Sequence, residues 1–321
     1  MKGLDATNYG GSIAPPHKTV LEKVLFSFKK HYQLYLMILP ALILLIIFYY
    51  VPIYGLQLAF REYDPIKGLT GGTWVGLDYF KRFVTSFQFQ ELIKNTLSIS
   101  VTSLVIGFPF PIMLALIFNT IRKESRKRTL QTIAYMPHFI SAVALVGMVR
   151  VLLSPSTGLW GHLHVLLGLD AVNLLAEPSK FSWLYAFTNL WQNAGWNSII
   201  YVAALSGVDV ALYEAAKVDG ASKFQQMIHI DIPSLVPTIV ILLILNSGFL
   251  LNVGFETVFL MQTSANLAAS EVISTYTYKI GIKSNQLSYS TAIGLFNNAI
   301  NFVILLIVNF ISRKLSDTSL F

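Results

Sequence analysis

The sequence predicts an all-α membrane protein with six transmembrane helices, and three observations carry that prediction. Of 321 residues, 54% are hydrophobic and only 12% are charged, about half the charged share of an ordinary soluble domain. Several apolar runs reach the roughly 20 residues that a helix needs to cross the hydrocarbon core of a bilayer. Basic residues are spread unequally over the segments between those runs, as expected of a multi-span chain. Composition excludes a soluble two-domain protein of this length. The formal charge of +7 is therefore read by side of the membrane, not as nucleic-acid affinity. Cysteine is absent, which removes disulfides, thiolate chemistry and cysteine-based metal sites.

Residues 1–33 read as a polar tail with Gly10-Gly11 and Pro15-Pro16, and 20–32 as a short amphipathic helix on the membrane face. The rest, 34–321, reads as one transmembrane domain with its core at about 92–312. The first span, 34–54, is longer than a signal-peptide core and no small-x-small site follows, so it is expected to stay attached. Pro40 and Pro52 are expected to bend it. Residues 55–90 form a loop with turn signals at Tyr63-Asp64-Pro65 and Gly71-Gly72. Its aromatic cluster at 74–80 suits a bilayer interface. The second span, 92–119, is interrupted by Pro109 and Pro111, which neighbouring membrane helices can accommodate.

The densest basic run, Arg122-Lys123-Glu124-Ser125-Arg126-Lys127-Arg128, precedes a third span at 130–153, with Pro137 near its start. A loop at 154–181 holds His162 and His164, whose i, i+2 spacing and lack of a carboxylate neighbour argue against a metal site. The fourth span, 182–205, is unusually polar, with Asn189, Trp191, Gln192, Asn193, Trp196, Asn197 and Tyr201. The fifth, 234–259, contains Asn246, Ser247, Asn252 and Glu256. A polar loop at 260–287 leads to the last span, 288–311, closed by Arg313 and Lys314. Lys94, Arg150 and Glu256 fall near span ends, where long basic side chains can snorkel to the interface.

Six spans put both termini on one side. That side collects fourteen lysines and arginines against seven on the other, Lys94 and Arg150 being the remaining two of 23. The termini and the segment 209–233 are therefore expected to be cytoplasmic.

Residues 209–233 are the polar segment that keeps helical spacing between two apolar runs. Asp209 suits an N-cap, and Leu212, Ala215 and Ala216 share a face. Asp219-Gly220 reads as a helix stop, since glycine accepts positive φ. A second short helix begins near Ser222, with Phe224 and Ile228 on one side, and Pro233 suits the entry to the next helix. The expected product is a bent pair of short helices.

Glu214-Ala215-Ala216-x-x-Asp219-Gly220-Ala221, followed by Phe224, Ile228 and Ile232-Pro233, resembles the EAA loop of ABC-importer permeases fed by an external binding protein. The resemblance runs from about residue 34 to the end. Segments such as Glu271-Val-Ile-Ser-Thr-Tyr276 and Tyr289-Ser-Thr-Ala-Ile-Gly294 are similar to the polysaccharide (LplB-like) branch of sugar permeases. It implies the type I ABC importer (MetI-like) permease fold in a bacterial cytoplasmic membrane. It also implies a transport subunit, not an enzyme, that moves oligosaccharides, uronide-containing fragments among them. Implied partners are a second homologous permease, two ATPase subunits and an extracytoplasmic solute-binding protein. Leu212, Glu214, Ala215, Ala216, Asp219, Gly220, Ala221 and Phe224 would couple this chain to the ATPases. No G-x-x-x-x-G-K-[ST] cradle occurs, so no cofactor is expected on this chain and ATP belongs to the partners.

Asn193, Asn197 and Tyr201 repeat at i, i+4, i+8 and form one stripe, with Trp196 beside it. Asn246, Ser247 and Asn252 of the fifth span are placed to face it. Amides and aromatic rings suit a sugar, but buried amides also join membrane helices, and both readings stand at this point. Another small solute of the same importer class is the alternative substrate. An ion-coupled secondary carrier is a more distant one, without the intramembrane carboxylates or span repeat that it would need.

Overall fold

The computed structural model describes residues 30–121 and 123–315; the helix expected at 20–32 falls largely outside them, as does Arg122 of the basic run. Among the described residues, four helices are long and apolar enough to span a membrane: Tyr32–Phe60, Gln88–Thr120, Lys223–Ser247 and Leu287–Lys314. Two bent pairs bring the number to six when each is counted as one span. Glu124–Phe139 meets Ala142–Leu152 at 98°, and Pro178–Ser206 meets Val210–Val218 at 73°.

The chain divides into a unit ending at Leu56 and one from Gln57 onward. In the first, helix Tyr32–Leu45 runs through Pro40 and widens into a π-turn at Ile46–Tyr50. Pro52 opposes the carbonyl four residues earlier, so this is where the hydrogen-bond ladder yields. The side chains of this helix are exposed all round, as suits one whose solvent is lipid.

In the second unit the polar fourth span is the central helix. Phe181–Ser206 packs against Gln88–Gly107, Pro109–Thr120, Glu124–Tyr135 and Ile232–Ser247. Small residues permit this: a Cβ on Gly195 would lie 1.9 Å from the Ala134 carbonyl oxygen. Hydroxyls within the helix bond back to its own carbonyls, Thr188 to Leu184 (2.7 Å) and Ser198 to Gly195 (2.6 Å). Its polarity therefore costs little inside the bundle. Ala115, Leu116, Tyr201, Leu205 and Leu235 form one apolar cluster on it, and Phe181 and Tyr185 pack into another with Ile99, Val146, Val258 and Met261.

Several sequence expectations need correction. The third span is not one helix from 130 to 153. A 3-10 turn at Met136–Phe139, with Pro137 as its second residue, ends the first helix, and Ser141 caps a new one by accepting the Ala144 N–H at 3.3 Å. The fifth span does not reach 259. Its helix stops at Ser247, residues 248–254 turn, and Phe255–Met261 is a separate helix. The backbone groups freed there find partners, the Leu251 N–H on Asn301 Oδ1 (2.9 Å) and the Gly254 N–H on the Tyr185 hydroxyl (3.1 Å). At its other end the same span begins at Lys223, so the second short helix of 209–233 is continuous with it through a π-turn at Met227–Asp231.

Residues 260–287 are mostly short helices, Leu267–Ser270, Ile273–Tyr278 and a π-turn at Lys279–Lys283. They are knit by buried Asn266, which donates to the Leu175 and Met261 carbonyls (2.7 and 3.0 Å), and by a Lys279–Glu271 ion pair at 2.7 Å. Loop 154–181 likewise contains helix Leu159–Leu166. In the region 55–90, Phe60 stacks on Trp74 with centroids 5.6 Å apart. Asp64 turns the chain by accepting the Ile66 N–H at 2.9 Å, a bond that holds its carboxyl below the usual range.

Candidate functional site

Segment 209–233 is built by local capping chemistry. The Asp209 carboxylate accepts the Ala211 N–H at 2.9 Å and starts helix Val210–Val218. Gly220 ends it at φ 76°. The Ala221 N–H reaches the Ala216 carbonyl (2.8 Å) and the Gly220 N–H reaches Lys217 (3.1 Å), the paired bonds of a Schellman stop. Ser222 and Gln225 then close a capping box, with bonds of 3.3 and 2.7 Å. No residue of Val210–Val218 is buried. Leu212, Glu214, Ala215, Asp219 and Gly220 are exposed, Ala216 and Ala221 half-buried, and Phe224 is 64% exposed. Val218, 88% exposed, extends this apolar surface. A bent, rigidly capped pair of helices thus presents small and apolar side chains outward.

One tie here was not legible in the sequence. Tyr213 donates its hydroxyl to Asp231 Oδ1 at 2.5 Å, and the Asn119 amide donates to the same oxygen at 3.1 Å. Asp231 is buried.

A cavity of about 470 Å³ lies between the second, fourth and fifth spans, within the range of ligand pockets. Asn193, Asn197, Tyr201 and Asn246 line it, and so does Asn252, from the turn after Ser247 rather than from a helix. Trp196 and Ser247 lie outside the lining. Trp196 stacks on His138 with centroids 4.4 Å apart, and Ser247 is buried with its hydroxyl bonded to the Ile244 carbonyl (2.6 Å). Ser100, Ser103, Tyr185 and Asn189 join the lining. Asn189 had a sequence signal, since it extends the stripe one turn back from Asn193. The two serines had none, because only packing reveals which face of the second span they occupy.

The lining amides are oriented by their neighbours. Asn193 donates to Asn189 Oδ1 (2.8 Å) while its own Oδ1 pairs with His138 Nδ1 (2.9 Å). Asn252 Oδ1 accepts from Asn297 and Asn301 (2.7 and 3.2 Å), which turns its NH₂ away from them as a free donor. Asn246 donates to the Leu242 carbonyl (2.7 Å) and keeps its oxygen as an acceptor. Among the described residues the buried Ser100 and Ser103 hydroxyls have no partner and Asn197 makes no hydrogen bond. No lining residue is charged. Such a surface offers both donors and acceptors to neutral hydroxyls.

The charges flagged near span ends lie elsewhere. Arg150 donates to the Leu260 carbonyl, while Lys94 and Glu256 are exposed. His162 and His164 each bond a carbonyl of their own helix, Gly158 and Trp160.

Residues 107–317 match the model of the family described as binding-protein-dependent transport system inner membrane component. The polygalacturonan/rhamnogalacturonan transport system permease protein YteP of Bacillus subtilis (strain 168) is 41% identical over 300 residues, covering 94% of each chain. Protein LplB of the same organism is 38% identical over 293 residues, covering 91% of this chain and 92% of LplB. Among solved structures, a chain of a bacterial ABC transporter involved in the import of the acidic polysaccharide alginate superposes with a TM-score of 0.82. It is 41% identical and covers 92% of this chain and all of its own. A second structure of a bacterial alginate ABC transporter, in complex with an alginate pentasaccharide-bound periplasmic protein, has the same TM-score, at 40% identity and 93% coverage of this chain.

Proposed function

This chain belongs to the family of binding-protein-dependent transport system inner membrane components, and we propose that it is the permease through which acidic oligosaccharides of the polygalacturonan, rhamnogalacturonan or alginate type enter a bacterial cell. It is a transport subunit of a binding-protein-dependent ABC importer. The observation that carries the substrate reading is the cavity of asparagines, serines and tyrosines between the second, fourth and fifth spans. Asn197, Asn246 and Asn252, all exposed, offer hydrogen bonds to sugar hydroxyls, and the exposed Phe249 ring supplies apolar surface for a pyranose face. Because the lining is uncharged, uronate carboxylates are balanced outside it, on a facing second permease or by water.

In this reading a binding protein delivers the glycan to the outer mouth. ATP closes a dimer of separate ATPase subunits, and the exposed face of Val210–Val218 with Phe224 docks in their groove. The Schellman bend at Gly220 fixes the angle at which the push reaches the fifth span, whose helix begins three residues later. Binding energy at the ATPases thus shifts the bundle between outward-open and inward-open populations. Both termini and this segment face the cytoplasm, where ATP is.

The test is uptake by the reconstituted assembly with defined oligogalacturonides and alginate oligomers, each competed by neutral maltooligosaccharides of equal length. Uptake of the acidic oligomers, driven by ATP with no ion gradient, is the expected result. Uptake of an amino acid or phosphate in their place, or uptake that needs an ion gradient, sinks the proposal.

A further inference from the structure

Among the described residues, Asp231 is the one carboxylate that is buried. It is 3% exposed and takes part in none of the ion pairs. Removing a carboxylate from water is unfavourable unless donors replace the hydration. Here two donors converge on one oxygen, Tyr213 Oη at 2.5 Å and Asn119 Nδ2 at 3.1 Å. The Asn119 amide is also 3.4 Å from the Tyr213 oxygen, which closes a triangle.

The three residues come from three elements. Asn119 is the penultimate residue of Pro109–Thr120, at the end of the second span. Tyr213 lies on the exposed helix Val210–Val218, and Asp231 ends the π-turn Met227–Asp231 that leads into Ile232–Ser247. Among the described residues, Tyr213 is the only side chain of helix Val210–Val218 that hydrogen-bonds to another element. The chain enters that helix through residues 207–209 and leaves it at Gly220, where a Cβ would meet nothing within 4 Å. Tyr213 is therefore the side chain through which this helix is hydrogen-bonded to the second span and to Asp231. The bond is also robust. Burial, and then the neighbouring carboxylate, push the Tyr213 hydroxyl up to about 12, so it keeps its proton and remains the donor at any physiological pH. A π-turn at the third corner places Asp231 off the regular helical track, as such turns commonly do at functional positions.

We propose that Asp231 is a positioning residue for energy coupling: its buried oxygen clamps the partner-facing helix Val210–Val218 to the ends of both the second and the fifth span, so that one push moves the two spans together. This rests on the docking role proposed above for that helix.

The experiment reconstitutes the complete importer in liposomes and measures oligosaccharide taken up per ATP hydrolysed. Hydrogen bonds to a charged group are among the stronger ones, so Asp231→Leu and Tyr213→Phe are expected to lower that ratio at least ~10-fold. Asp231→Asn retains an acceptor and should lose less. Hydrolysis stimulated by the binding protein, and co-purification of the ATPases, should stay within about two-fold of wild type. Tyr213→Phe added to Asp231→Leu should cost little more, since both remove one clamp. A spin label on Lys217→Cys should become more mobile in either single variant. Tyr213→Phe keeps the ring and so tests the clamp even where Asp231→Leu disturbs folding.

An unchanged ratio and unchanged label mobility in both variants would overturn the proposal. So would assembly, hydrolysis and uptake falling in parallel, which marks a purely structural tie. Those outcomes leave the docking reading intact, whereas a wild-type assembly that hydrolyses ATP without uptake overturns both.

Discussion

Replacing Gly220 tests how far the geometry of the bend matters. Its φ of 76° lies in the left-handed region, where an L-residue with a Cβ costs about 1–2 kcal/mol. A β-branched side chain costs more there and asparagine distinctly less. Nothing lies within 4 Å of the position a Cβ would take, so side-chain size as such carries no penalty. The whole effect is backbone conformation, which makes the series Gly220→Asn, Gly220→Ala, Gly220→Val a graded strain scale at one site. Each 1–2 kcal/mol corresponds to roughly a 5- to 30-fold change in the population of the bent geometry. If the bend sets the angle of the push, uptake per ATP should fall in the order Asn, Ala, Val, with valine down at least ~10-fold. Insertion of the chain should be unaffected, because the strain sits outside the spans. The assay is paired uptake and phosphate release in proteoliposomes, with monodispersity of the detergent-extracted protein as the folding control. Equal ratios across the series would refute the reasoning, and so would asparagine behaving as badly as valine, since that result follows contact and not φ.

Asn197→Ala should raise the apparent KM for oligosaccharide several-fold with thermal stability unchanged, because Asn197 lines the cavity yet makes no hydrogen bond among the described residues; a lowered melting temperature at constant KM would count against a pathway role. Tyr201→Ala should instead lose about 3–5 kcal/mol of stability, since Tyr201 is 3% exposed within an apolar cluster, and thermal melting distinguishes it from Tyr201→Phe. Gly195→Ala should destabilise by 1–3 kcal/mol or more, as its Cβ would meet the Ala134 carbonyl at 1.9 Å; a wild-type melting temperature contradicts that close approach. Ala216→Cys, in a chain with no native cysteine, should react with a membrane-impermeant maleimide only in inside-out vesicles, and labelling of intact cells would place the coupling segment on the wrong side.

Local chemistry was legible in advance. The cap at Asp209, the stop at Gly220 and the helix start near Ser222 depend on residues within five positions of one another, and the stripe through Asn193, Asn197 and Tyr201 repeats every four residues along one helix. Where the reading went astray, a non-local partner had stabilised what local rules disfavour. The fifth span breaks after Ser247 because Asn301 and Tyr185, 50 and 69 residues away, satisfy the Leu251 and Gly254 N–H groups. The third span turns by 98° at Pro137 and Ser141. Gln192 there bonds the Ile140 carbonyl (2.8 Å), and His138 is held by Asn193 and stacked on Trp196. Trp196 thus belongs to the support of that bend and not to the cavity, a distinction that a spacing of one residue from Asn197 cannot express.

The amino-acid sequence alone determined that this protein lives in a membrane and where its apolar runs lie. It determined the capped bend on its exposed segment as well, because hydrophobicity and capping act over a few residues. Only the tertiary structure decided which amides face one cavity and that an aspartate would be buried against Tyr213 and Asn119. Those outcomes depend on hydrogen bonds and close approaches between helices far apart in the chain, and a buried polar group finds its partner only when the helices have packed.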